Sequence, residues 1–486
     1  MKTRPTFWYV LCASLLSVAC TTEVTDEQYV KLEQVACSFY GSDNEPLEIK
    51  IKSNPSTWEA ESNAAWLEVG KSEDGSTLTL TATDNDTDSE RSTVVTVTAG
   101  EAIQEIKVNQ LGLDIDMPRY RTLMGMSSAI SPSGRYIGGF ESSMTDGSYV
   151  FHPCIIDTYT GEKTVCGDIP ESQFAFAETT VMSDGGLLFI RDGSQDIMFD
   201  RDGNYTVVRA EGYASNPRVQ STSSDSRYWV GYAMKETDKS EHGRMYWPLV
   251  WIDGEIHELE IPDSNFRGES FYTGLMARGI SANGSVIYGT TWDNDDFGMV
   301  YWTDINSSPE YVGKDVHEIN PVTVIGADGN EYISNFANGM ICTANRMQIS
   351  PSGTWIAGSY RTETLAEDRQ TRIREQYAAF YNTETETTAI IKDYGESTGL
   401  RATDDGIAFI GLGTGGITEG VVYDLNGGAH LGTTQEWIYN NYGLNVPTGL
   451  INFINADKDI IFGTYAVTTA QGTAFCKYYI APPIAE

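Results

Sequence analysis

The sequence predicts an all-β protein, and three observations lead to this fold class. The 486 residues include 47 glycines together with 17 Phe, 10 Trp and 27 Tyr residues, a composition that suits twisted sheets joined by tight turns. Short runs in which apolar and polar residues alternate begin near residue 29, as expected of half-buried strands. A turn signature of Ser, Asp and Gly then recurs seven times after residue 114. Together these observations predict a small β-sandwich over residues 29–113 and a ring of repeated sheets over residues 114–486.

The composition also excludes two classes of function. The 68 acidic residues outnumber the 32 basic residues and give a formal net charge of −36. An excess of negative charge of this size repels phosphate backbones, so nucleic acid is not an expected partner. No apolar run reaches the ~20 residues that a membrane-spanning helix needs. We therefore expect the folded part of the chain to lie in water.

Residues 1–19 have the features of a secretory signal peptide. Lys2 and Arg4 precede the apolar stretch Phe7–Leu16, which is too short to span a bilayer. The small residues before Cys20 resemble the lipobox of bacterial lipoproteins, in which this cysteine is diacylated and becomes the new N-terminus. An ordinary signal peptide followed by an incidental cysteine is the alternative.

Residues 20–28 are predicted to form a lipidated polar tether. Glu23, Asp26 and Glu27 are scattered along it, and acidic residues soon after the lipidated cysteine resemble the surface-export signal of Bacteroidetes lipoproteins. The resemblance implies a protein anchored by lipid in the outer membrane and facing the cell exterior. Its only contact with the membrane would then be through the acyl chains.

Five of the seven cysteines remain after Cys12 in the signal peptide and Cys20 are set aside. Cys154 and Cys166 flank a turn at Gly161 at similar distances, so they could face each other and form a disulfide in an oxidising compartment. A register different by one residue would instead place them on opposite faces of the hairpin, and both alternatives stay open. No partner is visible for the other three, and the absence of a CxxC motif argues against a thiolate zinc site.

Residues 29–113 have the pattern of an immunoglobulin-like sandwich. Turn-rich stretches separate short runs of alternating residues, and about 85 residues suit two small sheets packed face to face. The runs are Leu47–Ile51, Leu78–Ala82, Thr93–Thr98 and Ala102–Gln110.

The same segment resembles the BACON domain of Bacteroidetes. The residues that carry the resemblance are Trp58, Trp66–Leu67, Leu78–Ala82, Asn85, Arg91–Ser92, Val95–Val97 and Val108–Gly112. The resemblance implies either the carbohydrate binding proposed for that family or a spacer that holds a partner domain off the membrane. We favour the spacer, because Trp66 is followed by Leu67 and Val69 and so has the setting of a core residue. Asp84–Asp88 suggests a calcium loop, but Ser89 stands where such a loop needs Gly, which favours a solvated hairpin tip.

Seven copies of the turn signature, here called anchors, organise the rest of the chain. A glycine stands five residues after the end of six of the seven anchors, and Ile190 is the exception. A glycine inside a strand indicates the close approach of a neighbouring backbone. The anchors end at residues 134, 185, 226, 284, 353, 406 and 458.

Each repeat has the pattern of four strands, which at a period near 50 residues is typical of one propeller blade. Seven repeats predict a seven-bladed β-propeller. The last repeat lacks its fourth strand, and Arg119–Met124 stands unused before the first anchor, so we expect this segment to complete the last blade and close the ring. Arg278–Gly289, Val300–Trp302 and Gln435–Leu444 also resemble the extracellular HAF-repeat family, which implies a secreted propeller-like fold and no established chemistry.

The sequence contains no recognisable catalytic constellation. The five histidines form no metal-binding pair, and no nucleophile elbow or Walker loop occurs. The glycine-rich stretch 411–416 lies in a strand–loop–strand context without a helix to bind phosphate. With 68 carboxylates, a glycosidase dyad cannot be inferred from spacing. The sequence therefore predicts no catalytic residue, no metal and no cofactor.

Long aromatic loops in the middle repeats are the candidate binding surface. The loops that join second to third strands, and fourth strands to the next repeat, gather on one face of a propeller, where binding residues are common. Local packing under the loops is the alternative for any single residue. The candidate ligand-binding residues are Tyr246, Trp247, Phe271, Tyr272, Trp292, Asp293, Tyr360 and Arg361.

These features predict a cell-surface binding module for a glycan or glycoconjugate in a nutrient-uptake system, with the BACON-like unit as spacer. The prediction that the ligand is a glycan rests on the family resemblance. One alternative is a protein–protein scaffold at the outer membrane. Another is a propeller glycosidase or lyase, which requires convergent carboxylates or a His/Tyr pair at the mouth of the channel.

Overall fold

A computed structural model places most of the chain, and its 57% strand and 3% helix confirm the all-β class. Within these residues no helix is long and apolar enough to cross a bilayer. The structure describes residues 28–32, 35–42, 44, 46–87, 89–112, 118–123, 127–145, 148–167, 177–192, 195–240, 242–268, 273–291, 298–342, 348–413, 419–469 and 472–483. The predicted lipidation site Cys20 lies outside them.

Two four-stranded sheets form the N-terminal unit, residues 28–112, and share one core. The strands are β1 (Tyr29–Leu32), β2 (Ala36–Phe39), β3 (Leu47–Asn54), β4 (Glu59–Ser62), β5 (Leu67–Lys71), β6 (Thr77–Ala82), β7 (Arg91–Ala99) and β8 (Ala102–Gln110). The strand orders of the two sheets are β1-β3-β6-β5 and β2-β8-β7-β4, and β2 pairs with β8 in parallel. The four predicted runs lie within β3, β6, β7 and β8.

Tryptophans of this unit belong to its core rather than to a surface platform. Trp58 is buried, and Trp66 packs against the same cluster with the Arg91 guanidinium 4.7 Å from its ring centre. Asp88, in the tip predicted between β6 and β7, lies outside the described residues.

Seven antiparallel sheets follow among the described residues, and we number them in chain order. In every sheet except the fifth the first strand is innermost, because the first strands of several successive sheets contact one another. Sheets 1 to 4 are β10–β13 (Ser127–Ile130, Tyr136–Thr145, Ser148–Asp157, Lys163–Val165), β14–β17 (Ala177–Met182, Leu188–Asp192, Gln195–Phe199, Tyr205–Val207), β18–β21 (Arg218–Thr222, Tyr228–Glu236, Arg244–Ile252, Glu255–Glu258) and β22–β25 (Leu275–Ile280, Ile287–Thr291, Val300–Trp302, Glu310–Tyr311).

The remaining three sheets include one insertion and the closing strand. Sheet 5 has five strands, β26–β30 (Glu318–Ile325, Glu331–Ile341, Trp355–Leu365, Arg372–Asn382, Thr387–Ile391), and is preceded by a short 3₁₀ helix (Lys314–Val316). Sheet 6 is β31–β34 (Ser397–Ala402, Ile407–Leu412, Gly420–Asp424, Ala429–Thr433), followed by helix α1 (Thr434–Tyr442). Sheet 7 is β35–β37 (Gly449–Ile454, Ile461–Thr469, Gly472–Ala481) with β9 (Arg119–Leu123) as its fourth strand.

The pairing of β9 with β37 confirms the predicted closure, since Arg119 lies opposite Ala481 and Leu123 opposite Lys477. Hydrogen bonds between anchors complete the circuit. They are Ser133 N to Asp184 Oδ2 (2.9 Å), Gly185 N to Ser226 Oγ (2.7 Å), Ser224 N to Ala282 O (2.7 Å), Asn283 Nδ2 to Ser352 O (3.1 Å), Ser352 N to Asp404 Oδ1 (2.9 Å), Lys458 Nζ to Asp405 Oδ2 (2.5 Å) and Asn455 Nδ2 to Ser133 O (3.1 Å). Each sheet is thus tied to the next, and the seventh to the first.

The glycine that recurs in the second strand is needed because a neighbouring backbone approaches closely, as the sequence suggested. In five sheets the first strand is bulged five or six residues before the end of its anchor, at Thr180, Gln220, Arg278, Leu400 and Asn452. Near the bulge a carbonyl approaches the second strand. A Cβ on Gly231 would lie 1.9 Å from the Arg218 oxygen, and one on Gly463 would lie 2.2 Å from the Leu450 oxygen.

The possible disulfide between Cys154 and Cys166 is not formed, and both thiols are free. Cys154 lies opposite Val165, whereas the Cys166 amide bonds to Pro153, so the two residues are offset by one position. Their side chains enter different core clusters. Burial raises the pKa of Cys154 to about 11 and also raises that of Cys166, which keeps both thiols protonated at neutral pH.

Candidate functional site

The ring has two unlike faces. On the anchor face, the turns between third and fourth strands bond to the anchors, as Thr158 Oγ1 does to Gly134 O and Thr383 Oγ1 does to Gly353 O, both at 2.8 Å. Because strands alternate in direction, the other turns lie at the opposite ends of the strands. We call that side the hairpin face, formed in the middle sheets by residues 237–240, 242–243, 259–268, 273–274, 326–330 and 366–371.

Tyr246 and Trp247 lie on β20 and are half-buried at the junction of sheets 3 and 4. The Tyr246 amide donates to Thr273 O at 3.0 Å, and its ring packs edge-on to Tyr232 at 5.2 Å. Trp247 packs beside the core of the same junction, with the Lys235 ammonium 4.3 Å from the ring centre. The two rings therefore combine local packing with a partly open surface.

Tyr360 and Arg361 correct the sequence prediction, because they lie within a strand and not in a loop. Both are in β28, where they are only 8% and 5% exposed. Tyr360 packs into a core cluster with Met340, and Arg361 lies opposite Gly339. Neither can meet a ligand at the surface. The other candidates, Phe271, Tyr272, Trp292 and Asp293, lie outside the described residues.

A projecting hairpin that the sequence analysis missed extends from the same region. We call it the arm, residues 318–341, which consists of β26, β27 and their turn. It carries three of the exposed large apolar side chains, Ile319 (41%), Tyr332 (51%) and Ile333 (70%). The one signal in the sequence was the distance of 69 residues between the anchors at 284 and 353, which is the longest in the series.

A buried carboxylate fixes the base of the arm. Glu363 accepts from the Ala337 amide at 3.0 Å and pairs with Arg372 and Arg374, each at 3.2 Å. Burial acts to raise the pKa of Glu363, but the Ala337 amide and the two arginines outweigh it and lower the pKa. The Arg372 guanidinium also lies 4.4 Å from the Phe336 ring centre. The arm is therefore held rigidly although its apolar side chains stay exposed.

Beside the arm, Phe266 stacks on His317 with ring centres 3.8 Å apart and planes 16° apart. Arg267 donates to Asn335 O at 3.0 Å, which joins the connection between sheets 3 and 4 to the arm. Burial lowers the pKa of His317 to about 4, so the imidazole is neutral at pH 7. Phe266 and Arg267 lie in the connection between sheets 3 and 4, and the structure brings these two residues against the arm.

A second candidate surface is a cleft of about 480 Å³ between the N-terminal unit and the ring. Its walls come from two edge strands, β2 of the N-terminal unit and β9 of sheet 7. The lining includes Phe39, Tyr40, Pro46, Tyr120, Arg121 and Asn445. The sequence did not predict this cleft, because the cleft forms only where the N-terminal unit packs beside the ring.

Helix α1 holds the two units together across this junction. The Tyr439 hydroxyl donates to Glu90 at 2.8 Å, and Asn109 donates to the Gly443 carbonyl at 3.4 Å. The helix begins with a capping box in which Thr433 and Glu436 satisfy each other's backbone amides, a signal that is visible in the sequence.

The described residues do not assemble a catalytic centre of the kind that the enzyme alternative requires. No group of three metal-ligating side chains occurs among them, and the buried Asp196 is paired with Arg218 at 3.0 Å. Among the described residues, Tyr394 and His430 form a hydrogen-bonded His/Tyr pair at 2.7 Å, but His430 is on β34, the outermost strand of sheet 6. It is therefore not at the channel.

Comparisons with known proteins identify one domain. The BACON family model, described as a putative binding domain, matches residues 56–111. A comparison with curated proteins finds no match.

Similar solved structures include β-propellers at low identity. The β-propeller domain of the Trilobed protease from Pyrococcus furiosus is 11% identical, with 73% of this chain and 93% of that chain covered and a TM-score of 0.40. A quinonprotein alcohol dehydrogenase-like protein from Bacteroides thetaiotaomicron is 10% identical, with 74% and 94% covered and a TM-score of 0.27. The closure of the ring rests on its own strand pairing and anchor hydrogen bonds.

Proposed function

We propose that this chain is a lipid-anchored binding module of the bacterial cell surface. Its ring is a seven-bladed β-propeller, and its immunoglobulin-like BACON unit is a spacer. The hairpin face of the propeller binds a glycan or glycoconjugate in a nutrient-uptake system. The observation that carries the proposal is the contrast between an anchor face closed by hydrogen bonds and a rigid arm that displays exposed Tyr332 and Ile333.

The spacer role is supported by where the chain enters and leaves the N-terminal unit. Gln28 bonds to Glu101 at the β7–β8 turn, whereas Leu111, after the other end of β8, bonds to Phe39 beside the ring. The nine residues of β8 separate these ends, and at about 3.3 Å per residue this is on the order of 30 Å. A lipid at Cys20 would then lie beyond the end of the unit that is remote from Leu111, although β1 also contacts β36 of sheet 7.

Glycan binding is supported by side chains that combine a flat apolar surface with nearby charge. Trp247 is half-buried beside the Lys235 ammonium, and Tyr332 on the arm donates to Asp328 at 2.6 Å. Such rings pack on the C–H face of a sugar while polar groups bond its hydroxyls.

A glycan array with the full mature chain tests this proposal, with Cys20→Ser so that the protein is soluble. Binding of a neutral or charged glycan is expected to fall at least tenfold in Tyr332→Ala. The matched control is Tyr205→Ala, because Tyr205 is also 51% exposed but lies on sheet 2. An array without hits, or equal loss in both variants, would contradict the proposal. Turnover is to be assayed on every hit, and bond cleavage would favour the enzyme instead.

A protein scaffold is the second candidate function, and the aliphatic side chains Ile319 and Ile333 favour it. Exposed isoleucines of this kind suit a protein interface better than a sugar. If a purified outer-membrane partner binds and soluble glycans do not compete, the scaffold is the better description. Competition by a glycan would instead place the sugar at the same surface.

Lipidation is tested separately by growth with labelled palmitate. The wild-type chain is expected to incorporate label and to be cut by external protease on whole cells, and Cys20→Ser is expected to incorporate none. Label in the Cys20→Ser chain would show that the anchor is elsewhere.

A further inference from the structure

We infer that the cleft between the N-terminal unit and the ring is a second ligand site, and that it binds an acidic sugar residue carrying a carboxylate or a sulfate. The inference rests on the proposed function for one premise, which is that the ligand is a sugar. The site and the requirement for negative charge follow from the cleft itself.

The first observation is an uncompensated buried cation. Arg119 is 4% exposed, and its guanidinium donates to three backbone carbonyls, those of Thr158, Tyr159 and Pro482. Among the described residues no carboxylate forms an ion pair with it. Asp157, whose charge acts on Arg119, is already paired with Arg135 at 3.3 Å.

The second observation is that another cation lies beside the first. Arg121 lines the same cleft and is exposed, and within the described residues it donates a hydrogen bond to the neighbouring Tyr120 carbonyl at 2.9 Å. The pKa of Arg119 is lowered mainly by burial and further by the charge of Arg121. Two neighbouring arginines that pair with no carboxylate of the described residues are unusual in a chain with a net charge of −36. A bound anion would neutralise Arg121, the exposed cation of the cleft, and so reduce the repulsion between the two arginines.

The third observation is the chemistry of the remaining walls. Tyr40 and Pro46 offer flat apolar surface, and the Asn445 side chain offers an amide for hydroxyl groups. Asn44 accepts from the Tyr40 amide at 2.7 Å and donates back to its carbonyl at 2.8 Å, which fixes the loop that carries Tyr40. A volume near 480 Å³ is within the range of small-ligand sites. A planar guanidinium beside such surfaces fits the carboxylate of a uronic acid or the sulfate of a sulfated sugar.

Calorimetry on the full mature chain with Cys20→Ser tests the inference with three probes. They are trigalacturonic acid, its neutral methyl ester and galactose 6-sulfate. We expect one of the two acidic probes to bind and the methyl ester to bind at least tenfold more weakly. The stronger of the acidic probes identifies the anionic group. Equal binding of acid and ester, or no binding of either acidic probe, would overturn the inference.

Arg121→Gln is the decisive variant because Arg121 is exposed and, among the described residues, bonds to its neighbour's carbonyl alone. It is expected to lose at least tenfold in affinity for the acidic probe while keeping the wild-type melting temperature. The matched control is Arg209→Gln, since Arg209 is exposed and lies elsewhere on the ring. Unchanged affinity in Arg121→Gln would place the ligand outside the cleft.

Two further results separate this inference from its alternatives. Asp43 and Glu45 follow Tyr40 in the sequence and lie outside the described residues. If only the double variant Asp43→Asn, Glu45→Gln binds the acidic probe, the chain's own carboxylates hold the arginines and the inference fails. If neutral glycans bind and depend on Tyr332 while no acidic probe depends on Arg121, the proposed function stands without the cleft.

Discussion

The two faces of the ring are built from the same sheets and yet obey different constraints. On the anchor face every sheet bonds to its neighbour through a Ser, Asp or Asn at an equivalent turn, as Ser352 does to Asp404. On the hairpin face the connections differ in length and partners, and one sheet adds a whole arm. A closed circuit of turns therefore suffices to hold the sheets in order, which leaves the opposite connections free to vary.

This difference assigns stability to one face and recognition to the other. Substitutions of the residues that close the circuit, and of the strand glycines whose lack of a side chain allows close packing, should affect folding most. Residues exposed on the arm should affect folding least, whatever they bind. The following substitutions test that division, beginning with the largest expected effect.

Gly463→Ala should be the most destabilising change. The added methyl would lie 2.2 Å from the Leu450 carbonyl oxygen and 2.4 Å from the Tyr478 ring, so the first and second strands of sheet 7 must separate. We expect a loss of about 3 kcal/mol or more in the free energy of unfolding, measured by urea denaturation. The control is Gly70→Ala, where the nearest atom is 3.6 Å away. Equal denaturation midpoints for the two variants would contradict the role of the bulged strand.

Arg119→Ala should follow, because it removes the link between the closing strand and sheet 1. Three carbonyls lose a charged donor, and two of them belong to the first sheet. We expect a loss of about 2–3 kcal/mol. Arg121→Ala, two residues along the same strand, should leave the melting temperature within about 1 °C of wild type. If both variants melt alike, the ring does not depend on this link.

Particular elements show how far the sequence could predict this structure. The anchors, the strand glycines and the closure by Arg119–Leu123 were predictable because each is a local pattern repeated at an equivalent position. The disulfide alternative was not resolvable, because one residue of register between Cys154 and Cys166 decides it. Tyr360 and Arg361 were misplaced because a strand that extends beyond the core has the polar, aromatic composition of a loop. The arm and the cleft depend on segments that are distant in the sequence, such as those of Phe39 and Arg119, which line the same cleft, and no local pattern encodes their approach.

His317 should make the hairpin face sensitive to acid. Its pKa is about 4 in the folded chain, below the unfolded value of about 6.5, so the unfolded state binds more protons between these values. Stability should therefore be constant above pH 6.5 and fall as the pH is lowered towards 4, by about 1–2 kcal/mol for a partly exposed group. His317→Asn should flatten this part of the profile. An NMR titration that gives His317 a pKa near 6.5 would contradict the burial of the Phe266 stack.

Ile333→Ser should have the smallest effect on folding and so test the division between the faces most directly. Ile333 is 70% exposed and lies opposite Thr323 in the arm, on the side of β27 away from Phe336. Because the side chain buries little surface, its replacement should change the free energy of unfolding by less than about 0.5 kcal/mol. Ile356→Ser, in a fully buried position of the same sheet, should cost several times more. A loss above about 1 kcal/mol for Ile333→Ser would mean that the chain itself covers the arm, and the exposed surface would then not be available for recognition.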